Sequence, residues 1–238
     1  MFSKVLFTLN VNDYAPKIRE ITYPLLKHYA HKIGAEFREI TERKWPDWPP
    51  VYEKLQIHQL GIGYDWVIYF DADVLVHPNC IDFTNYLPRD TCAHNGQDFG
   101  NVRFRYDEAM RQDRRNIGTC GWCVITPAPC LDAWKPTDRS LQEILDCCYP
   151  TVEEINCGMV DKGHLTDDYV VSQNIARFKF KHVTIQELLP KIGSDPDGFF
   201  WHLYTIGEEE KVRQMRDMLW RWRVPHPVLA RGWEEMFK

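Results

Sequence analysis

The sequence lacks any long hydrophobic run. Among its 238 residues, no segment approaches the roughly 20 consecutive apolar residues that a membrane-spanning helix needs. The opening stretch MFSKVLFTLNVNDY contains one lysine and a short apolar run broken by Asn10, without the small-residue cleavage site of a secretory signal. We therefore interpret it as a first strand and predict a cytoplasmic protein.

The sequence also lacks an excess of positive charge. Its 34 acidic residues outnumber the 29 basic ones, and the formal net charge is -5. This balance disfavours nucleic acid as the main partner, because phosphate backbones attract basic surfaces. No internal repeat, low-complexity segment or linker interrupts the chain. We therefore predict one domain over residues 1–207 and a C-terminal helical extension over residues 208–238.

Cysteines are more frequent than expected for a protein without disulfides. Eight are present, and without a secretory signal free thiols are the default state. Cys120 and Cys123 form a CxxC pair, and a zinc site there would need two more ligands, which Cys147, Cys148 or Cys157 could supply. A redox pair usually opens a helix, whereas this pair continues into a strand-like segment. Inert buried thiols are the favoured interpretation, with zinc and redox chemistry as alternatives.

Hydrophobic periodicity predicts an alternation of strands and helices. Strands are expected at 4–9, 36–40, 64–78 and 119–126, and helices at 15–33, 52–60, 137–148, 166–177 and 208–223. Thr166 is expected to cap the fourth of these helices, and the arginine-rich segment 94–117 is expected to be a mobile, partly helical loop region. The order strand, helix, strand, helix, strand at the start of the chain predicts a parallel α/β sheet.

Two aspartates interrupt the most strand-like segment. Asp71 and Asp73 follow the apolar residues 67–70, at the end of the strand where ligands bind in parallel sheets. Alternate residues of an extended chain point to the same side, so both carboxylates are expected to face one point. Because close carboxylates repel unless a cation lies between them, the pattern predicts a divalent metal. A solvated turn is the alternative, since a short motif alone has little specificity.

The stretch YDWVIYFDADVLVHP resembles the DxD motif of nucleotide-sugar glycosyltransferases with the GT-A fold. It is most similar to the glycogenin and lipopolysaccharide galactosyltransferase group. Further segments resemble that group in the same order, namely YEKLQIHQL, GTCGWCVITP, TDDYVVSQN and FFWHLYTIG. The resemblance covers residues 4–211 and implies an α/β fold, with a Rossmann-like, mixed but mainly parallel sheet flanked by helices. It also implies a hexosyl- or pentosyltransferase that uses a nucleotide-diphosphate sugar, with UDP favoured as the nucleotide.

The resemblance implies site residues at the matching positions. Asp71, Asp73 and His202 would bind the metal, and one imidazole among oxygen ligands suits Mn²⁺, with Mg²⁺ as the alternative. Asp168 or Asp167 would act as a general base or stabilise an oxocarbenium-like state. The expected donor-binding residues are Thr8, Asn10, Tyr14, Lys54, Asp71, Gly207 and Lys211.

The chain departs from the group at three places. The asparagine and serine of the group's NSG strand are Thr119 and Cys120 here, so the sugar contacts from that strand are expected to differ. The group often reads His-x-x-Gly-x-x-Lys, whereas His202 is followed at wider spacing by Gly207 and Lys211. The group's Asp-Gln pair is Asp167-Asp168 here, and an acidic pair is also similar to the catalytic-base region of inverting enzymes. Retention is favoured and inversion stays as the alternative.

The acceptor is predicted to be a glycan or a lipid-linked glycan. The segment MLWRWRVPHP alternates tryptophan and arginine, a pattern that suits peripheral contact with a membrane interface. Packing of the tryptophans on the domain, or a subunit contact in a homodimer, is the alternative interpretation.

Three other classes of protein compete with the transferase, and one of them is a nucleotidyltransferase on a related fold. A haloacid-dehalogenase-type phosphatase also begins with a hydrophobic strand followed by DxD, but its motif normally lies on the first strand and has no use for His202. A non-catalytic module that binds nucleotide or carbohydrate is the third rival, because one fold can serve many functions.

Overall fold

The computed structural model describes residues 2–98, 117–148, 155–156, 162–191, 198–203 and 206–224. The strands of this part are β1 (Lys4–Leu9), β2 (Ala35–Ile40), β3 (Trp66–Phe70), β4 (Val74–Val76), β5 (Thr91–Asp98), β6 (Ile117–Pro127), β7 (Lys181–Thr184) and β8 (Phe200–His202). The α-helices are α1 (Pro16–Lys32), α2 (Ile57–Leu60), α3 (Leu141–Cys147), α4 (Thr166–Arg177), α5 (Ile185–Lys191) and α6 (Glu208–Arg221). None of the described helices is long and apolar enough to cross a membrane.

A six-stranded sheet in the order β2-β1-β3-β6-β5-β7 lies at the centre of the fold. Strand β1 pairs in parallel with β2 and β3, and β5 pairs in parallel with β7. Strand β6 runs antiparallel to both β3 and β5. The mixed, mainly parallel sheet expected from the sequence is therefore confirmed.

Helices cover both faces of the sheet, which explains the unbroken apolar run of β3. Val67 and Tyr69 face a cluster that includes residues of α4, whereas Ile68 and Phe70 face a cluster that includes residues of α1 and α5. All five residues of β3 are buried. A strand that is buried on both faces has no polar side to alternate with, as is usual in parallel sheets.

The first helix begins and ends at residues that favour those positions. Pro16 occupies the first turn of α1, where its missing N–H costs nothing and its fixed φ suits a helix. Gly34 follows the last turn with φ +68, a conformation that side chains rarely adopt. Between them, Ile18, Ile21 and Leu25 recur at helical spacing and are buried. The predicted helix over 15–33 is confirmed within one residue at each end.

The C-terminal elements pack beside the end of β3. Strands β4 and β8 form a separate antiparallel pair, in which Val74 lies opposite His202. Helix α6 packs on α1 through a cluster that includes Met215, Leu219 and Leu75. Elements that are distant in the sequence therefore meet beside the carboxyl end of β3.

Segment 64–78 is not the single strand that the sequence suggested. Strand β3 ends at Phe70, and residues 71–73 form a turn that leads into β4 of the second sheet. The N–H of Val74 donates to the carbonyl oxygen of Asp71 at 3.2 Å. That local hydrogen bond closes the turn, and an extended chain through both aspartates was the wrong expectation.

Other local predictions also need correction. The segment predicted as a loop over 94–117 begins within β5 and reaches β6 at its end, and residues 99–116 lie outside the described part of the chain. Most of the helix predicted at 52–60 is a 3-10 helix, Pro50–Gln56, followed by α2. Thr166 is the first residue of α4 and not its cap, because its hydroxyl donates to the carbonyl oxygen of Gly163 at 2.9 Å.

Candidate metal and donor site

Asp71 and Asp73 lie in the turn at the carboxyl end of β3. The N–H of Asp71 donates to the carbonyl oxygen of Trp122 in β6 at 2.9 Å, which fixes the start of the turn. One ligand atom each from Asp71, Asp73 and His202 lies within 4.8 Å of the other two. The resemblance implied that His202 joins the two aspartates, and the three side chains do lie together.

His202 reaches the turn through the β4–β8 pair. Strand β4 begins directly after Asp73, and the antiparallel register sets His202 opposite Val74. His202 Nε2 then lies 3.4 Å from Asp73 Oδ1. The imidazole also stacks on the indole of Trp122, with ring centroids 5.4 Å apart and planes at 23°. Strand pairing and stacking together orient the ring.

The chemistry of this group fits a divalent cation. Two carboxylates and one imidazole are a donor set that Mn²⁺ accepts, and Mg²⁺ prefers the oxygens. Burial alone would raise the pKa of Asp73, but the hydrogen bond and charge of His202 and the charge of Lys211 hold it well below its usual range. Asp73 is therefore an anion at neutral pH.

A buried lysine joins the turn to the acidic pair of α4. Lys54, from the 3-10 helix Pro50–Gln56, lies with its Nζ 2.8 Å from Asp71 Oδ1 and 2.7 Å from Asp167 Oδ2. Its exposed fraction is 4%. Burial lowers the pKa of Lys54, but the charges of Asp167 and Asp71 outweigh that effect and raise it well above its usual value. Lys54 is therefore a fixed positive charge in the site.

A glycine in β6 allows the acidic pair to approach the sheet. The N–H of Gly121 donates to Asp168 Oδ1. A Cβ atom at this glycine would lie 2.5 Å from Asp167 Oδ2 and 2.7 Å from Asp168 Oδ1. Burial raises the pKa of Asp167, and the charge of Lys54 opposes that shift. Any side chain at Gly121 would force both carboxylates to move.

A cavity of about 410 Å³ lies beside the turn. Its apolar wall includes Leu9, Val11 and residues 49–51. The polar side chains that line it include Tyr14, Lys54, Asp71, Asp73, His164 and His202. A cavity with an apolar wall and a few convergent polar groups is typical of a small-molecule site.

The remaining donor-site predictions fall into two sets. Tyr14 lines the cavity and donates its hydroxyl hydrogen to Asp73 Oδ2 at 3.2 Å, and Lys211 Nζ lies 2.6 Å from that oxygen. Thr8 is buried within β1, Asn10 donates its side-chain N–H to Glu39 Oε2 at 3.2 Å, and Gly207 lies at the N-cap of α6. These last three do not line the cavity, and their role in donor binding stays a prediction.

Sequence reasoning missed several residues of the site. His164 lines the cavity three residues before Asp167, and a histidine so close to the acidic helix start was an available signal. Tyr69 precedes Asp71 by two positions in β3 and donates its hydroxyl hydrogen to Asp71 Oδ1 at 2.5 Å. The period of two in a strand could have indicated that contact. Nothing local indicated that Trp122 stacks on His202.

The CxxC pair does not belong to this site or to another metal group among the described residues. Neither Cys120 nor Cys123 forms a disulfide. Among the described residues, the group of three side chains placed to bind a metal is Asp71, Asp73 and His202. Burial raises the pKa of Cys123 well above its usual value, which is opposite to the lowered value of a reactive thiol. Inert thiols remain the favoured interpretation, and Cys157 lies outside the described residues.

No protein-family model matches the chain, and no curated protein matches it. Solved structures do match. A glycosyltransferase involved in the glycosylation of the major capsid of PBCV-1 is similar with a TM-score of 0.54 and 12% identity, over 90% of this chain and 99% of that one. The galactosyltransferase LgtC, in complex with donor and acceptor sugar analogs, has a TM-score of 0.38 and 13% identity, over 67% of this chain and 71% of its own. Protein A197 from STIV has a TM-score of 0.43 and 14% identity, over 87% of each chain. The first of these likenesses shows that the chain has the GT-A fold that the resemblance implied.

Proposed function

We propose that the chain is a metal-dependent glycosyltransferase that moves a hexose or pentose from a nucleotide-diphosphate donor to a hydroxyl of a glycan or lipid-linked acceptor. The observation that supports this most is the convergence of Asp71, Asp73 and His202 beside a cavity of about 410 Å³. The GT-A fold adds to that support. UDP is the nucleotide we expect, as the resemblance implies.

The positive groups around the cavity suit a diphosphate. A bound cation would neutralise the charge that develops on the departing diphosphate. Lys54 adds a buried ammonium on the cavity wall. Lys211 brings a second ammonium to the same turn through Asp73. Two lysines and a bound divalent cation together would offset the negative charge of the four aspartates, so that the site could accept an anion.

The acidic pair of α4 is the proposed reaction end of the site. Asp168 is held by the N–H of Gly121, and Asp167 is held by Lys54. We propose that Asp168 faces the reacting carbon or the acceptor hydroxyl. Asp167 is the adjacent negatively charged residue. Retention of configuration is the expected outcome, and the anomeric configuration of the product by NMR would decide it.

We also propose a cytoplasmic protein with residues 208–238 as an extension of the catalytic domain. Trp222 packs on the domain and lies edge to face with His77, with centroids 5.0 Å apart. Trp220 is 54% exposed and is the tryptophan that a membrane surface or a second subunit would contact. Residues 225–238 lie outside the described part of the chain. Flotation with vesicles and analytical ultracentrifugation would separate these alternatives.

A panel of thermal melts tests the proposed function. UDP, GDP, ADP and inorganic phosphate are each added with and without Mn²⁺. A ligand at a hundred times its dissociation constant stabilises the native state by about 2.7 kcal/mol, which is a shift of several degrees for a domain of this size. We expect a shift with UDP that requires Mn²⁺.

Two variants make the panel specific. Asp73→Asn should lose the Mn²⁺-dependent part of the shift, whereas Asp146→Asn, at an exposed aspartate of α3, should keep it. A shift with phosphate and none with any nucleotide would contradict the proposal and favour the phosphatase. A nucleotide shift without sugar transfer to any acceptor would favour the non-catalytic binding module.

A further inference from the structure

The hydroxyl of Tyr69 contacts a proposed metal ligand from within the core. Tyr69 is fully buried in β3, and its ring packs edge to face with Trp134 at 5.6 Å. Its hydroxyl hydrogen points to Asp71 Oδ1, at an oxygen–oxygen distance of 2.5 Å. A hydroxyl that donates to a carboxylate makes a short, strong hydrogen bond. The contact is therefore suited to fix the orientation of Asp71.

Among the described residues, Tyr69 and Lys54 both approach the same carboxylate oxygen of Asp71, Oδ1. Lys54 Nζ lies 2.8 Å from Oδ1, and its ammonium is 5.1 Å from the centroid of the Tyr69 ring. The phenol and the ammonium thus lie close together at Oδ1. With Oδ1 held there, rotation about the Cβ–Cγ bond is restricted and Oδ2 has one preferred direction.

We propose that Tyr69 is a positioning residue of the cation site, which holds Oδ1 of Asp71 so that Oδ2 is presented to a divalent cation bound with Asp73 and His202. The inference rests on the proposed function, because it assumes that a cation binds there. It assigns a role to a residue outside the ligand set and outside the cavity lining. Hydrogen-bond partners of metal ligands commonly orient those ligands and tune their affinity.

The chain offers a matched control for the loss of one buried hydroxyl. Tyr69→Phe removes a single oxygen atom and leaves the ring in the core. Tyr29 of α1 is also buried, and its hydroxyl hydrogen goes to the carbonyl oxygen of Ile81 at 3.0 Å, within the cluster on the opposite face of the sheet. Tyr29→Phe therefore removes one buried hydrogen bond that does not involve the site.

The experiment measures Mn²⁺ affinity directly, by the EPR signal of free Mn²⁺ during titration of the full-length protein. Wild type and Tyr29→Phe should bind equally. Tyr69→Phe should bind about 10-fold more weakly, which is the usual scale for loss of a residue that orients a metal ligand. Asp71→Asn should weaken binding further, and Tyr69→Phe should add nothing to it in the double variant, because Tyr69 acts through Asp71.

Each other outcome overturns the inference in a recognisable way. Wild-type affinity in Tyr69→Phe, or equal losses in Tyr69→Phe and Tyr29→Phe, would show that the hydroxyl does not position Asp71. A Tyr69→Phe protein that fails to fold beside a folded Tyr29→Phe would assign the hydroxyl to core stability instead. Absence of Mn²⁺ binding in wild type would remove the proposed cation site together with this inference. Normal binding in wild type with no effect of Tyr69→Phe would remove the inference alone.

Discussion

The two lysines of the site neutralise the two aspartates of the turn in different ways. Lys54 arises from a 3-10 helix next to the sheet and bridges Asp71 and Asp167, with its Nζ also 3.4 Å from the carbonyl oxygen of Gly121. Lys211 arises from the first turns of α6 and contacts Asp73. Lys54 therefore forms ion pairs with two aspartates, and Lys211 forms an ion pair with one.

The difference lies in what remains when each lysine is removed. Asp167 is 1% exposed and depends on Lys54 for its charge partner. Asp73 is also buried, but His202 and the hydroxyl of Tyr14 stay beside it. Because an uncompensated buried charge is costly, the Lys54 half of the site should be the more fragile. A series of lysine-to-methionine substitutions tests that comparison.

Lys54→Met should have the largest effect. It leaves Asp71 and Asp167 without their shared cation, and breaking a buried ion pair typically costs ~3–5 kcal/mol. The free energy of unfolding in urea, measured at pH 7, should fall by about that amount. The reference variant is Lys17→Met, at an exposed lysine of α1. Equal stability of Lys54→Met and Lys17→Met would contradict the expectation that the part of the site around Lys54 is the more fragile.

The loss in Lys54→Met should also depend on pH. Burial raises the pKa of Asp167, and Lys54 opposes that shift, so the pKa should rise further in the variant. A carboxyl whose pKa is raised by folding destabilises the native state above that pKa and has no effect below its unfolded value of about 3.9. The variant should therefore lose less stability at pH 5 than at pH 8. A loss that does not change with pH would show that Asp167 keeps another partner.

Lys211→Met should cost less than Lys54→Met. One charged hydrogen bond to Asp73 is lost, and such bonds contribute ~1.5–3 kcal/mol. His202 and Tyr14 remain within 3.4 Å of the carboxylate, so Asp73 is not left alone. The same urea titration at pH 7 gives the comparison. A loss as large as that of Lys54→Met would show that Asp73 depends on Lys211 as strongly as Asp71 and Asp167 depend on Lys54.

Gly121→Ala should affect turnover more than stability. The new Cβ would overlap the Asp167 and Asp168 oxygens. A small off-rotamer turn of the carboxylates that keeps Asp167 in contact with Lys54 should cost about 1 kcal/mol in the unfolding free energy. A displaced catalytic group can lower turnover about 100-fold. Gly61→Ala is the control, because its Cβ would lie 2.8 Å from Val67 Cγ2 and 2.9 Å from the backbone oxygen of Ile57, and neither residue belongs to the proposed site. That variant should lose stability and keep its turnover, and the opposite pattern would contradict this role of Gly121.

The sequence predicts four strands of the central sheet, β1, β2, β3 and β6, and the position of the two aspartates, because their signals are local. The apolar runs of β1 and β3 reflect burial on both faces, and Pro16 and Gly34 mark the ends of α1. Asp71 and Asp73 stand out because polar residues end an apolar strand. Strand β5, with the sequence TCAHNGQD, has no apolar alternation and forms through its pairing with β6 and β7. That pairing cannot be predicted from the residues of β5 alone.

The site depends on long-range contacts that no local pattern encodes. His202 and Lys211 were candidates only through the resemblance, because the β4–β8 pair and the packing of α6 bring them to the turn. The need for glycine at position 121 becomes visible only when the carboxylates of α4 are seen against β6. Polar residues at the end of a strand or helix can therefore be predicted from the sequence. The residues from other elements that contact them cannot.

Lys17→Met should have the smallest effect in the series. Lys17 Nζ lies 3.7 Å from Glu209 of α6, and the two side chains are 60% and 91% exposed. Exposed ion pairs contribute little, and a lysine in the first turn of a helix also opposes the helix dipole, so we expect a change of about 0.5 kcal/mol or less. In 1 M salt, where the screening length falls to about 3 Å, any effect of Lys17→Met should vanish while that of Lys54→Met persists. Glu209 and Lys211 are two residues apart on α6, so this contrast would show that burial, and not the helix, determines the contribution of each pair. An effect of Lys17→Met as large as that of Lys211→Met would mean that α6 is held to α1 by charge, and the site would then depend on ionic strength.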